Sequence, residues 1–467
     1  METNQRHFNR GSVPTGYDID NSLKLEADNS EQLSRDVSSA GSRTTATVSM
    51  WIKRTELGVA QYLFTYGNTD NDDGRTFARF QADDILRIMG GSTVWRDTNR
   101  VFRDTSAWYH IVIAFDTTQS TANDRIKLYV NGVQETSFST TNNPSEDGLL
   151  GLNFQKQVIG YNSVDGGSYF SGYMTEIVHQ DGTASAPTEF GEFDEDSGTW
   201  KPKDVSGVAS GTNGFYLDFE DSSNMGNDAS GGTDFTETNI AAADQATDTP
   251  TNNFCTFNPL INQNNSPTIS EGAMKSTGSG AWNQTWGSLG VQNGKWYYEF
   301  KVTNTSSSGY FGASTAPAEG SYLVAAQLMY NTSFITGNPA RVDYYYWQSG
   351  SQTSNESTGW GTISTDDIIG IALDLDASTK TFTVYKNGTA LSGTLSQPVN
   401  LPTNMQDEFV FPLYVQYSNL ADEANFGGYT LSSISSAAAD ANGYGTFEIA
   451  PPSGYYALCT KNIAEFG

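Results

Sequence analysis

The stretch with the clearest chemical potential is 189–198, EFGEFDEDSG. On an extended backbone Glu192 and Asp194 share a face, because side chains alternate with a period of two. Two carboxylates about 5–5.5 Å apart across a glycosidic bond would make a retaining glycanase. The strand-borne pattern of that chemistry is Glu-x-Asp-x-(x)-Glu, and its last member is missing: Asp196 and Ser197 stand there. The stretch is acidic and glycine-flanked, which favours a solvated loop, so no catalytic set is expected. His7 falls in a polar N-terminal stretch. His110 and His179 fall in strand patterns, where a packed or edge imidazole is the simpler reading. There is no Ser/His/Asp spacing, no zinc pattern and no glycine-rich loop ahead of a helix to hold phosphate.

Two acidic stretches carry enough oxygen for Ca²⁺, which takes six to eight such ligands. NTDNDDG (68–74) supplies Asp70, Asp72 and Asp73; DFEDSSNMGND (218–228) supplies Asp218, Asp221 and Asp228. Neither fits the helix-loop-helix calcium pattern, and Phe80 stands where the first would need Glu. Aromatic rings stack on sugar faces, and Trp95, Tyr310, Tyr344, Tyr346, Trp347 and Trp360 are the candidates. The run 344–347, YYYW, must put aromatics on both faces of a strand. Packing inside the protein is the competing use of each ring. Cys255 and Cys459 each precede Thr and are expected to be reduced neighbours.

Strands hold these residues. ATVSMWIKR (46–54), QYLFTYG (61–67), TFARFQ (76–81), DILRIM (84–89), WYHIVIAFD (108–116) and RIKLYVNG (125–132) recur with turn residues between them. In 108–116 both alternating faces are usable, which predicts a central strand. Asn131-Gly132 and Asn387-Gly388 each supply the two positive-φ residues of a type I′ hairpin turn. Strands follow at 157–161, 169–180 and 214–221, then at 295–302, 309–314, 342–348, 367–376, 380–388, 409–417 and 456–461. Outside the two hairpins the halves do not align, so they are two different sandwiches and not a repeat.

The composition agrees. Of 467 residues 37% are hydrophobic and 12% aromatic, with abundant glycine, which fits strands and polar turns better than helices. The balance of 25 basic to 53 acidic residues, net −28, repels nucleic-acid phosphates and anionic membranes. Two cysteines make no disulfide framework. METNQRHFNRGSVPTG has no apolar core, so no signal peptide is expected, and no apolar run approaches the ~20 residues of a membrane span. The chain is expected to be made in the cytoplasm.

VSMWIKR (48–54), AWYHIVIAFD (107–116) with RIKLYVNG, and IGYNSVDGGSYFSGYMTEI (159–177) resemble the laminin-G-like/concanavalin-A-like family. GKWYYEFKV (294–302), GYFGAS (309–314), DDIIGIALDLDASTKTFTVYKNG (366–388) and FPLYVQYSNLADEANFGG (411–428) resemble the SPRY family. TPTNNFCTFNPL (249–260) and PPSGYYALCTKNI (451–463) bracket the second segment. The combination is similar to virion proteins of marine bacteriophages, held to be tail-fibre or capsid-surface components. The first resemblance also implies Ca²⁺ at a sandwich rim.

The expectation is therefore an all-β chain of two concanavalin-A-like antiparallel β-sandwiches of jelly-roll type in tandem. Residues 1–20 would be a docking arm holding other virion proteins, 21–222 the first sandwich, 223–267 an irregular acidic connector laid over the surface, and 268–467 the SPRY-like sandwich. The implied function is non-enzymatic host attachment through a cell-surface glycan, in many copies or as a homo-oligomer on the particle surface, without nucleic acid or membrane insertion. The alternatives are a capsid-decorating or tail-connecting spacer, and a glycan-cleaving enzyme.

Overall fold

The computed structural model describes residues 16–467 except 69–73, 165, 264–266, 281, 306, 316–324, 332–340 and 349–350. For 262–263, 325–331, 341–348, 351–357 and 404 it describes the backbone alone. Residues 14–251 and 252–467 belong to two compact units. Each is a pair of antiparallel sheets, the concanavalin-A-like arrangement expected from the strand pattern.

In the first unit one sheet runs Val133–Gln134, Ile126–Val130, Tyr109–Asp116, Thr45–Arg54, Gly172–Asp181, Ser22–Leu25, Gln245–Ala246, with Phe215–Leu217 beside Gly172–Asp181. The other runs Phe138–Thr141, Thr93–Val101, Ile85–Gly90, Arg75–Phe80, Gln61–Gly67, Lys156–Ile159, Gln32–Asp36, Thr236–Thr238. Period-two alternation sends Ile111, Ile113 and Phe115 inward, to meet Leu63, Phe64, Ala78, Phe80 and Ile88 from the facing sheet. The opposite face of Tyr109–Asp116 is buried too: Val112 packs with Val178, Phe190, Val205 and Tyr216. This strand is interior on both sides, as its sequence predicts. Asn131 and Gly132 take φ of 48° and 77°, and Trp200 lies so close over Gly132 that a Cβ there would come within 2.2 Å of the indole.

Residues 223–251 are not a surface connector. Thr236–Thr238 extends the second sheet and Gln245–Ala246 the first. Three aspartates of this stretch serve as counter-ions for buried cations. Asp228 pairs with Arg35 at 3.1 Å, Asp244 with Lys24 at 2.8 Å and Asp248 with Lys53 at 2.7 Å. Nor do residues 16–20 behave as an arm. Ile19 is buried and its N–H donates to Thr251 Oγ1. Residues 1–15 lie outside the described residues.

The second unit pairs a sheet of Phe257–Gln263, Trp282–Gly287, Val410–Tyr417, Gly309–Thr315, Ala325–Asn331, Arg341–Gln348 and Ser351–Ser357 with one of Thr268–Ser270, Lys275–Thr277, Glu423–Asn425, Lys295–Lys301, Ile368–Asp374, Thr381–Lys386 and Thr389–Ala390. Phe300, Phe311 and Tyr414 stack between them. Phe257, within the expected connector, packs against Tyr414 and Phe426. The unit closes with Tyr456–Ala457 and a helix, Thr460–Phe466. The helix was not expected; a strand covering all of 456–461 was. Among the described residues no helix is long and apolar enough to cross a membrane.

Candidate functional site

The second unit carries an aromatic face. Along Trp282–Gly287, Trp282 and Trp286 point away from the sandwich interior, as do Phe411, Leu413 and Val415 of Val410–Tyr417. Trp282 stands opposite Tyr417, and Tyr310 opposite Val415. The Trp282 ring lies 5.2 Å from that of Tyr310 and 5.0 Å from that of Tyr417, tilted by 54° and 50°. All three rings are partly exposed, on a floor of buried Trp286, Leu413 and Val415. Packing against one another and against that floor fixes the rings, so a ligand stacking on them would meet them already ordered. Tyr310 was expected from the sequence. Trp282 and Tyr417 were missed, although the alternation Trp282–Gln284–Trp286 was a usable signal.

A cleft of about 310 Å³ opens on the other sheet, lined among others by Glu299, Lys301, Asp366, Glu423, Ser432 and Glu448. Glu299 is nearly inaccessible, and its oxygens accept from Tyr297 Oη, Asn425 Nδ2 and the N–H groups of Glu448 and Ile449 at 2.9–3.2 Å. Burial pushes its carboxyl up to about 7 despite those donors. Lys301 bridges Ser432 (2.9 Å) and Asp366 (3.7 Å), and Ser432 Oγ donates to Glu423 at 2.5 Å. The walls are therefore hydroxyl, amide and carboxylate, suited to a hydroxyl-rich ligand.

In the first unit Glu176 sits in a bulge with φ of 50°. It accepts from Tyr216 Oη at 2.9 Å and Tyr17 Oη at 3.5 Å. Burial, with Asp218 nearby, raises it to about 8.

Other expected residues go elsewhere. Trp95 is 1% exposed inside the first sandwich, seated where a Cβ on Gly90 would meet its ring at 2.0 Å. Trp360 is 4% exposed, its Nε1 donating to the Leu395 carbonyl. Neither ring is available to stack on a sugar from solvent. Tyr344, Tyr346 and Trp347 lie on Arg341–Gln348, level with Leu328, Ala326 and Ala325, but their side chains are outside the described residues, as are Asp70, Asp72 and Asp73 altogether. Asp218 accepts from the Glu220 N–H, Asp221 from Ser223, and Asp228 from Arg35, Tyr216 N and Ser230. Those oxygens cap turns and an arginine, and among the described residues no three His, Cys, Asp or Glu converge as a metal site. These three aspartates do not fit Ca²⁺.

Glu192 lies within a two-stranded hairpin, Gly191–Phe193 with Trp200–Pro202, and Asp194 directly follows its first strand, not the loop expected. Lys201 binds both, at 3.5 and 3.2 Å. The Ser197 N–H and hydroxyl, then Lys201, hold the Asp194 carboxyl down at about 2. Both histidines are packed, as expected. His110 accepts from Trp200 Nε1 at its Nδ1, so Nε2–H faces Ser49 Oγ. Burial holds His110 and His179 at about 3, hence neutral. Cys255 and Cys459 are buried thiols not joined in a disulfide; Phe254 pairs with Cys459, and the Cys255 N–H donates to the Leu458 carbonyl, so they are neighbours.

Residues 26–187 match the laminin-G-type family described as the concanavalin A-like lectin/glucanases superfamily. The match covers most of the first unit and about a third of the chain. Among solved structures, similarity extends to the SPRY domain of human HERC1 (16% identity, 38% of this chain and 99% of that one, TM-score 0.24). It extends also to the heptameric SAP-like pentraxin of Limulus polyphemus (17%, 37% and 80%, 0.28). A third is domain 4 of a GH43 extracellular arabinanase from Geobacillus stearothermophilus, solved with arabinotriose (22%, 32% and 66%, 0.23). Comparison with curated proteins gave no match.

Proposed function

We propose that the chain binds glycans without cleaving them, as a structural protein displayed on a phage particle for attachment to a host cell. The observation that carries glycan binding is the Trp282–Tyr310–Tyr417 trio on its rigid floor. The lectin/glucanase-type match of residues 26–187 supports the same ligand class. The particle assignment rests on the laminin-G-like and SPRY-like order and on the two bracketing segments around the second unit. Residues 1–15 remain the proposed hold on other virion proteins. Many copies would convert weak single sites into firm attachment. Nucleic acid is a poor partner for a net charge of −28.

The test is binding of the full chain to intact candidate host cells and to their extracted polysaccharides, with and without EDTA. Saturable binding that Trp282→Ala abolishes, without shortening the polymer, supports the proposal. Loss in EDTA would add a bound divalent cation, with Ca²⁺ the candidate. Absence of binding to every susceptible host sinks it and leaves a capsid-decorating or tail-connecting spacer.

One observation favours a second reading. Glu299, raised to about 7 in a cleft beside Glu423 and Glu448, has the acidity of a general acid. Polymer shortened by the native protein and left intact by Glu299→Gln would move the case to a glycan-cleaving enzyme. Against it, both Glu299 oxygens are already filled by donors.

A further inference from the structure

Lys24 sits at the centre of a buried cluster of charge in the first unit. Its neighbours Leu23 and Leu25 belong to the sandwich core, so alternation turns Lys24 to the opposite face of the sheet, level with Tyr173 and Lys53. The pairing of Ser22–Leu25 with Gln245–Ala246 sets Leu23 against Gln245, which brings Lys24 beside Asp244. Lys24 Nζ lies 2.8 Å from Asp244 Oδ1 and 3.1 and 3.2 Å from the two oxygens of Glu31. All three side chains are buried, with Lys24 and Glu31 only 1% and 2% exposed. One ammonium thus faces two carboxyls where water does not screen them. Burial, against the pull of Lys24 and with the charge of Asp244, holds the Glu31 carboxyl above its usual range.

The two carboxyls are not equivalent. Glu31 takes hydrogen bonds from Nζ on both oxygens, and also from the Glu26 N–H at 2.7 Å and Asn29 Nδ2 at 3.0 Å, so the amine faces its oxygen edge and not its carbon. Asp244 meets Nζ with Oδ1, while its Oδ2 accepts from the Ala241 N–H at 2.8 Å. That N–H stands where negative charge collects when a nucleophile adds to Cγ. The folded chain already holds amine and carboxyl together, so the entropy of bringing them together has been met by folding. Turning the pair into a neutral amide also removes two charges from a site where keeping them is costly.

We propose that Lys24 and Asp244 form an intramolecular isopeptide bond, with Glu31 as the proton carrier. The Lys24 ammonium passes one proton to Asp244 Oδ1, leaving an amine beside a carboxylic acid. Nζ attacks Cγ, and the developing charge on Oδ2 is held by the Ala241 N–H. Glu31 takes a second proton from Nζ and gives it to Oδ1, which leaves as water. The third proton stays on the amide nitrogen. One C–N bond forms, one C–O bond breaks, and Glu31 ends as it began; no oxidant or cofactor enters. The bond would fasten the two-residue strand Gln245–Ala246 to the sheet far more firmly than its few ladder hydrogen bonds do.

The test is mass spectrometry of the denatured full-length protein, followed by a tryptic map. The expected result is the loss of one water, with peptides 11–35 and 204–275 joined and the chain uncut at Lys24. Asp-Gly pairs such as 147–148 and 181–182 can also lose water, as succinimides, but mild alkali reopens those and leaves an amide intact. Glu31→Gln, which cannot carry the proton, should leave the two peptides separate in a chain whose near-UV circular dichroism is native. Asp244→Ala should leave them separate whether or not it folds. If Glu31→Gln does not fold, the map of the native protein decides. Native protein that keeps its water after long incubation, a loss that alkali restores, a loss confined to 11–35, or an undiminished link in folded Glu31→Gln overturns the proposal.

Discussion

Asp248 Oδ2 lies 2.7 Å from Lys53 Nζ, 195 residues away in sequence, and both side chains are essentially inaccessible. Asp248 Oδ1 accepts from Trp108 Nε1 at 3.0 Å. A buried pair of this kind is costly to break from one side, because the remaining charge is stranded.

Asp248→Ala should therefore destabilise the first unit by about 3–5 kcal/mol. Chemical denaturation checks it. Lys53→Met added to Asp248→Ala should restore part of the loss by removing the stranded charge. A fragment of residues 16–251 should give a cooperative transition, and one ending at 222 should not, since it lacks Asp228, Asp244 and Asp248 together.

Glu176 predicts a pH effect with a definite sign. Below its ordinary value of 4.5 the carboxyl is protonated whether the chain is folded or not. Between 4.5 and about 8 the folded chain retains a proton that the unfolded chain releases, so stability falls as pH rises through that window. Above it the penalty is complete. Glu176→Gln should be close to neutral at pH 4 and should raise Tm at pH 9. Each 1 kcal/mol would appear as about 2–4 °C in a unit of this size.

Trp282→Ala and Trp95→Ala should separate binding from stability. The first should abolish glycan binding at a smaller cost in stability, because the Trp282 ring is only partly buried. The second should cost about 3–5 kcal/mol, as large-to-small changes in a packed core do, and leave the binding of the second unit unaltered. Titration calorimetry with urea melts on the same samples reads both.

The thiols of Cys255 and Cys459 should resist a disulfide reagent in the native protein at pH 8 and both react in guanidinium. Both are buried, and burial pushes the Cys459 thiol up to about 12, so little nucleophilic thiolate forms. Fast native reaction of either would contradict the packing.

The sandwich class was legible because Tyr109–Asp116, Lys295–Lys301 and Val410–Tyr417 are short runs rich in aromatic and β-branched residues, bounded by turn residues, and because Asn-Gly at 131–132 and 387–388 leaves little choice of turn. Residues 223–251 were not legible. Strands of two or three residues, Gln245–Ala246 and Thr236–Thr238, are too short to show a period. Their acids read as solvated because their partners Lys24, Arg35 and Lys53 are charged residues that give no sign of burial. Ring placement was half legible. A period-two pattern says that neighbours take opposite faces, but not which face is the core, so of the candidate rings Tyr310 is partly exposed while Trp95 and Trp360 are buried.

The bridge between Phe254 and Cys459 has a mechanical meaning. The chain enters the second unit at 252 and makes its last turns after 459, on the same side of an antiparallel pair. Tension applied between Asn252 and Gly467 would load the Asn253–Thr460 and then the Cys255–Leu458 hydrogen bonds one after another, as a zip opens, not all together in shear. Such a pull would peel the first and last segments from the sheet at low force while both sheets behind them stay whole. The unit would lengthen before it unfolded, with a compliant end on an otherwise intact pair of sheets.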